Sequence, residues 1–162
     1  MKWNSQIRHS LILIIFLTGL MQVGFTQDVP DQRLKKFYPA TGQIKEIFHI
    51  RVSGSDTIKD GPYQYFYPNG TLGQEGFFKN NRLDSLWHLY YETGELKKKL
   101  YYRNGIRQGP YRVYYKSGAL KQTGRYDNGL LEGSFKTYYK DDTLESVSTY
   151  QNGRQNGRIK IY

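Results

Sequence analysis

NGIRQGPYRVYYKSGALKQTGRY, residues 104–126, holds two alternating stretches separated by turn-forming residues. Tyr111, Val113 and Tyr115 alternate with Arg112 and Tyr114, the period of two expected of a strand with one better-buried face. A second strand is expected from Leu120 to Tyr126, with Leu120, Gln122, Gly124 and Tyr126 pointing together. Asparagine and glycine tolerate positive φ, so KSGA around Gly118 and NGIRQG from Asn104 read as reversals. The segment is a β-hairpin, and glycine or asparagine interrupts the chain too often for a helix.

The hairpin recurs along the chain. Gly61, Ser85, Gly109, Gly133 and Gly157 stand at intervals of 24, and Tyr67, Tyr91, Tyr115 and Tyr139 keep the same step. So do Leu72, Leu96, Leu120 and Leu144, and Phe78, Tyr102, Tyr126 and Tyr150. Four units follow, 61–84, 85–108, 109–132 and 133–156, and 157–162 is a truncated strand. Residues 38–60 form a degenerate leading unit, in which FYPATGQI resembles FYPNGTL of 66–72 and IRVSGSDTIKDG is an irregular connection. Residues 28–37 read as a linker. Connections this short preclude parallel crossovers. The expected fold is all-β: an elongated antiparallel meander of hairpins in a single twisted sheet of about ten strands, advancing about 10 Å per repeat.

Ahead of the repeats, Lys2, Arg8 and His9 precede the apolar run LILIIFLTGLM at 11–21, and QVGFTQ follows before Asp28. Residues 1–27 have the plan of a signal peptide, with an uncleaved N-terminal anchor as the alternative because a small-x-small cleavage pattern is lacking, so the chain is expected in the periplasm, at the outer envelope or in the medium. There is no cysteine, so neither a lipobox anchor nor a disulfide framework is available. The formal net charge is +10, and loss of Lys2 and Arg8 with the leader lowers it by two. Outside the membrane such a charge favours an acidic glycan, a lipid headgroup or an acidic protein surface over nucleic acid.

The pattern N-G-x-x-x-G-x-aromatic-x-x-Tyr-Tyr-x-x-Gly-x-Leu resembles bacterial MORN-repeat variant proteins, many of which carry an antitoxin-like label. Asn104-Gly105, Gly109 and Tyr114-Tyr115 match it, as do Asn128-Gly129, Gly133 and Tyr138-Tyr139. The paired G-x-G is broken by Tyr111 and Phe135. The later G-x-aromatic survives at Gly76-Phe77-Phe78 and Gly124-Arg125-Tyr126, while Leu100 and Ser148 replace its glycine elsewhere. The resemblance implies lipid association or protein scaffolding, and its label implies a toxin-neutralising or immunity role.

Chemistry is sparse. After residue 27 only His49 and His88 are histidines, and neither sits in a catalytic motif. Asp141 and Asp142 fall in a turn, which outweighs metal binding. No cofactor, metal or catalytic residue is expected, and an enzyme is the disfavoured class. Tyr65, Tyr67, Tyr91, Tyr115 and Tyr139 read mainly as packing. The opposite row, Phe66, Tyr90, Tyr114, Tyr138 and Tyr162, interleaves with Arg112, Lys136 and Lys160; its members Phe66, Tyr90, Tyr114, Tyr138, Arg112 and Lys136 are the candidate binding face, rings beside cations suiting another protein or an anionic envelope component. Lys97, Lys98 and Lys99 add a local cluster. Exposed terminal strands, Arg158 to Tyr162 above all, leave edge-to-edge self-association open. The function expected is an exported, non-catalytic binding surface or scaffold, with toxin neutralisation as the alternative.

Overall fold

The computed structural model describes residues 32–162. Its first strands are β1 (Gln32–Phe37), β2 (Ile44–Ser53), β3 (Asp56–Phe66), β4 (Leu72–Lys79), β5 (Arg82–Tyr90) and β6 (Leu96–Arg103). Then come β7 (Ile106–Arg107), β8 (Gly109–Tyr114), β9 (Leu120–Asp127), β10 (Leu130–Leu131), β11 (Gly133–Tyr138), β12 (Leu144–Gln151), β13 (Arg154–Gln155) and β14 (Lys160–Ile161). All fourteen join one antiparallel sheet, a meander as the repeat predicts, with β7 and β8 both along β6, β10 and β11 both along β9, and β13 and β14 both along β12. Among the described residues no helix is long and apolar enough to cross a membrane.

Two turn types build the meander. Asn104-Gly105, with φ of 54° and 83°, closes the tip between Arg103 and Ile106; Asn128-Gly129 and Asn152-Gly153 repeat it. Positive φ at both central residues is the two-residue hairpin turn whose twist matches the strands. Asn80 and Asn81, at 49° and 62°, meet the same demand without glycine. At the other margin Gly70, Gly94 and Gly118 each donate N–H to the tyrosine three residues earlier, and Asp142 does so at a φ of 64°.

The position marked by Gly61, Ser85, Gly109 and Gly133 is not a turn but a bulge. Lys98 and Lys99 pair with Val113 and Arg112, while Tyr102 and Arg103 pair with Arg107 and Ile106, leaving two extra residues on the later strand around Gly109. Ser85 holds the same left-handed conformation, φ 60°, without being glycine. The expected six-residue reversal NGIRQG is thus a two-residue turn, a short paired segment and a bulge. Unit boundaries consequently fall inside strands, as β3 and β5 show.

A second bulge, between Val113 and Tyr114, pairs Val113 with Gln122 but Tyr114 with Leu120. The expectation that Leu120 and Gln122 point together is therefore corrected: the extra residue Lys121 changes the phase, and Leu120 joins the Tyr114 side. Phe66 with Leu72, Tyr90 with Leu96 and Tyr138 with Leu144 repeat the arrangement.

Two N-terminal expectations also change. The described part of the supposed linker is β1, paired along β2 from Gln32↔Ile50 to Phe37↔Ile44. Residues 51–60 are regular, with Arg51↔Ile58 and Ser53↔Asp56 either side of Gly54 at φ 62°. The reason is shared: β2 carries buried Ile47, Phe48 and Ile50, and a strand so placed needs partners for its backbone groups on both sides.

One face is packed. Trp87, Leu100 and Tyr111 form its buried centre, with Tyr63, Phe78, Tyr102 and Tyr126 against them. Trp87 lies edge-on to Phe78 at 5.3 Å between ring centroids. Glycine in the second strand makes room for these rings: a Cβ on Gly76 would lie 2.3 Å from the Trp87 ring, and one on Gly124 would lie 2.6 Å from Tyr111 Cε1. Where Leu100 replaces that glycine, Trp87 pairs across from it and leans over Gly76 of the preceding hairpin.

Repeats are tied at both margins. The Tyr67 hydroxyl donates to the Tyr90 carbonyl at 3.0 Å, Tyr91 to Tyr114 at 2.9 Å and Tyr115 to Tyr138 at 2.9 Å. Tyr38 of the leading unit does the same to Phe66 at 2.8 Å. These tyrosines stand one residue beyond their strands yet keep the expected face, the Tyr65 and Tyr67 rings lying 5.6 Å apart between centroids, and from there they clamp the next hairpin. At the tips, the N–H groups of Asn81, Gly105, Gly129 and Gly153 donate to the Lys59, Leu83, Arg107 and Leu131 carbonyls of the preceding unit.

Two substitution series follow. Gly124→Ala should cost about 1–3 kcal/mol through overpacking against Tyr111. Gly118→Ala, in open space at φ 88°, should cost only the roughly 1 kcal/mol of its backbone conformation. Urea unfolding of each, and of Gly124→Ala with Tyr111→Ala, should show non-additivity in that pair alone. Tyr91→Phe should lose about 0.5–1.5 kcal/mol, the net worth of one such hydrogen bond; an unchanged midpoint would remove the clamp from the stability argument.

Candidate functional site

The face opposite the packed one is built by the same alternation. Register pairs carry one row of side chains across the sheet: Gln64, Glu75, His88, Lys99, Arg112, Thr123, Lys136, Val147 and Lys160. Two residues further along their strands stand Phe66, Tyr90, Tyr114 and Tyr138, on the same face. All six candidate residues, Phe66, Tyr90, Tyr114, Tyr138, Arg112 and Lys136, therefore share one surface. Arg112 is exposed and the other five are half-buried. On the other flank of the row lie exposed Phe77 and Tyr101, with Pro110 and Arg125 beside them.

The row divides electrostatically. At its N-terminal end Glu75 is occupied: its Oε1 lies 3.3 Å from His88 Nδ1 and accepts from the Tyr90 hydroxyl at 2.6 Å. His88 is thus outward-facing as the sequence indicated, but half-buried and partnered. Beyond it Lys99, Arg112, Lys136 and Lys160 follow with only Thr123 and Val147 between them. Among the described residues none of these four has a carboxylate within 4.0 Å; the ion pairs there are Lys36 with Glu46, Arg51 with Asp60, and His88 with Glu75. Lys99 and Arg112 stand directly opposite each other on adjacent strands. Like charges so placed destabilise a sheet. Sequence reading placed Arg112, Lys136 and Lys160 beside the ring row but not Lys99, which it placed only in a surface cluster. Cross-strand register separates the cluster: Lys99 joins the row, and Lys97 stacks over the Tyr91 ring at 5.2 Å.

The remaining chemistry-bearing residues serve the scaffold. His49 Nδ1 is 3.1 Å from the Pro62 carbonyl. Asp141 Oδ1 accepts from the Thr143 hydroxyl and N–H at 2.6 and 3.1 Å, which holds its carboxyl below the ordinary range, and Asp142 Oδ1 accepts from Leu120 N–H at 2.8 Å. Both aspartates thus work as turn residues. On the packed face, Lys121 over Tyr115 and Lys45 over Tyr38 repeat the Lys97 stacking on the clamp tyrosines.

The phenols of Tyr63, Tyr90 and Tyr111 are pushed up to about 12, first by burial; for Tyr90 the hydrogen bond to Glu75 and that carboxylate's charge add to it. Unfolded tyrosine ionises near 10, so above that pH the unfolded chain binds fewer protons than the folded one and stability must fall. Urea midpoints should be flat up to about pH 10 and drop between about 10 and 12, and Tyr90→Phe should make the drop shallower.

A family model described as MORN repeat variant matches four consecutive stretches, 59–80, 84–104, 107–128 and 131–152, together more than half of the chain. Each stretch covers one hairpin, the third running from β7 through β9. No curated protein matches the sequence.

Proposed function

Since the chain belongs to the MORN repeat variant family, we propose that its repeats build a non-catalytic docking surface, and that the face bearing Arg112, Lys136 and the rings of Phe66, Tyr90, Tyr114 and Tyr138 does the docking. The observation that carries this is the row of Lys99, Arg112, Lys136 and Lys160. A row serving the sheet alone would gain from alternating sign, whereas this one sets two cations opposite each other with no acid to relieve them. An anionic partner removes that repulsion, and flat rings two residues away supply apolar contact area at little entropic cost. The unit is also multivalent, because each repeat presents the same outward position and the same ring position.

The signal-peptide reading of 1–27 lies outside the described residues. It places the surface in the envelope or the medium; a toxin-neutralising role inside the producing cell instead requires those residues to be retained. Fractionation of cells expressing the full-length chain, with the N-terminus of the recovered protein determined, separates the two. A chain beginning between about residues 25 and 28 in the envelope or medium supports export; an intact cytoplasmic chain overturns it.

Arg112→Gln with Lys136→Gln should weaken binding to immobilised dextran sulfate on the order of tenfold at low salt and flatten its salt dependence. Lys79→Gln with Lys140→Gln removes the same charge from exposed positions off the row and should have little effect. Equal losses from both pairs would reduce the attraction to net charge and sink the docking face. Tyr90, Tyr114 and Tyr138 replaced together by serine should also lose binding while the β circular dichroism signal persists.

A further inference from the structure

Resting on the docking face proposed above, we infer that its occupant is a linear acidic polysaccharide laid across the strands, with one carboxylate per disaccharide meeting one cation per repeat. The spacing carries the argument. Arg112, Lys136 and Lys160 occupy every second strand of the row, with Thr123 and Val147 on the strands between. Adjacent strands lie about 4.8 Å apart, so the cations recur at about 10 Å and the span from Lys99 to Lys160 is about 24 Å. A pyranose ring in an extended β-linked chain advances by close to one strand spacing. A glycan whose acidic sugar alternates with a neutral one therefore repeats in step with the protein: the acidic sugar lies over a cation strand, the neutral one over Thr123 or Val147.

The aromatic row fits the same occupant. Tyr114 and Tyr138 stand two residues along their strands from Arg112 and Lys136, about 7 Å away, and Tyr90 holds the same place beside His88. They present ring surface to the apolar faces of sugars, and Tyr114 and Tyr138 have phenols that can hydrogen-bond ring hydroxyls. Arg112 offers a planar fork to a carboxylate, and Lys99 opposite it adds a second positive charge to that contact.

An extended acidic peptide matches less well. Its side chains on one side recur at about 7 Å, out of step with the cations, and lying across the strands it cannot add its backbone to the sheet.

The experiment titrates the protein with di-, tetra- and hexasaccharides of alternating uronate and N-acetylhexosamine, a neutral hexasaccharide, and a six-residue poly-glutamate peptide. Affinity should rise with each disaccharide up to the hexasaccharide. Lys136→Gln should lower hexasaccharide affinity about tenfold but leave the disaccharide within about twofold, since that can bind at Lys99 and Arg112. Tyr114→Ser should weaken all three acidic glycans while poly-glutamate is unaffected. Poly-glutamate binding as tightly as the hexasaccharide, with the same dependence on Lys136, would overturn the glycan assignment and keep the docking face. Equal binding of the neutral hexasaccharide would overturn the charge register. Absence of row-dependent binding by any of these probes, together with an equal response of dextran sulfate binding to the off-row variants, would sink both readings.

Discussion

A single sheet has no second layer to pack against, so its hairpins must be held by their neighbours along the sheet. The recurrent hydrogen bond from a tyrosine hydroxyl to the carbonyl of the next unit's outward ring residue meets that need at one margin. Backbone bonds between successive hairpin tips meet it at the other. Each bond is modest by itself, but the same pair recurs at every step, so the registration of one unit fixes the next. The buried centre at Trp87, Leu100 and Tyr111 sits between these two lines of ties. Its close packing depends on glycines 76 and 124 leaving room for rings that reach across strands.

Much of this was legible because the repeat exposes it. A fixed step of 24 residues marks which tyrosines, leucines and turn residues are equivalent, and the residue types at the turns are those that accept positive φ. The positions of the meander's strands, and the opposition of the Tyr114 row to the Tyr111 row, follow from alternation alone. Asn80-Asn81 and Asp142 could be accepted as variants for the same reason.

What alternation could not show is where it is interrupted. A bulge inserts residues without changing composition, so alternation puts Leu120 on the side of Gln122 although it pairs with Tyr114. Gly109 looked like part of a turn, whereas its φ serves a bulge; Ser85 at the equivalent place hid the conformational demand. β1 was missed because every one of its residues is exposed and its role is to cover the edge of β2. Lys99 was missed as a member of the site because its neighbours in sequence, Lys97 and Lys98, look identical to it, and only pairing across strands separates them.

The order of strands in the sheet also determines how the array responds to load. The long strands follow one another in chain order from β1 to β12, with β13 and β14 together along the far side of β12, so the two ends of the described chain lie at opposite ends of the stack. Tension between them acts along the inter-strand hydrogen bonds and opens hairpins in sequence, instead of shearing many bonds together. Each unit released lengthens the chain from about 10 Å to as much as about 80 Å. A body anchored at one end and gripping a polymer along its face would thus yield stepwise, giving up one repeat of contact at a time.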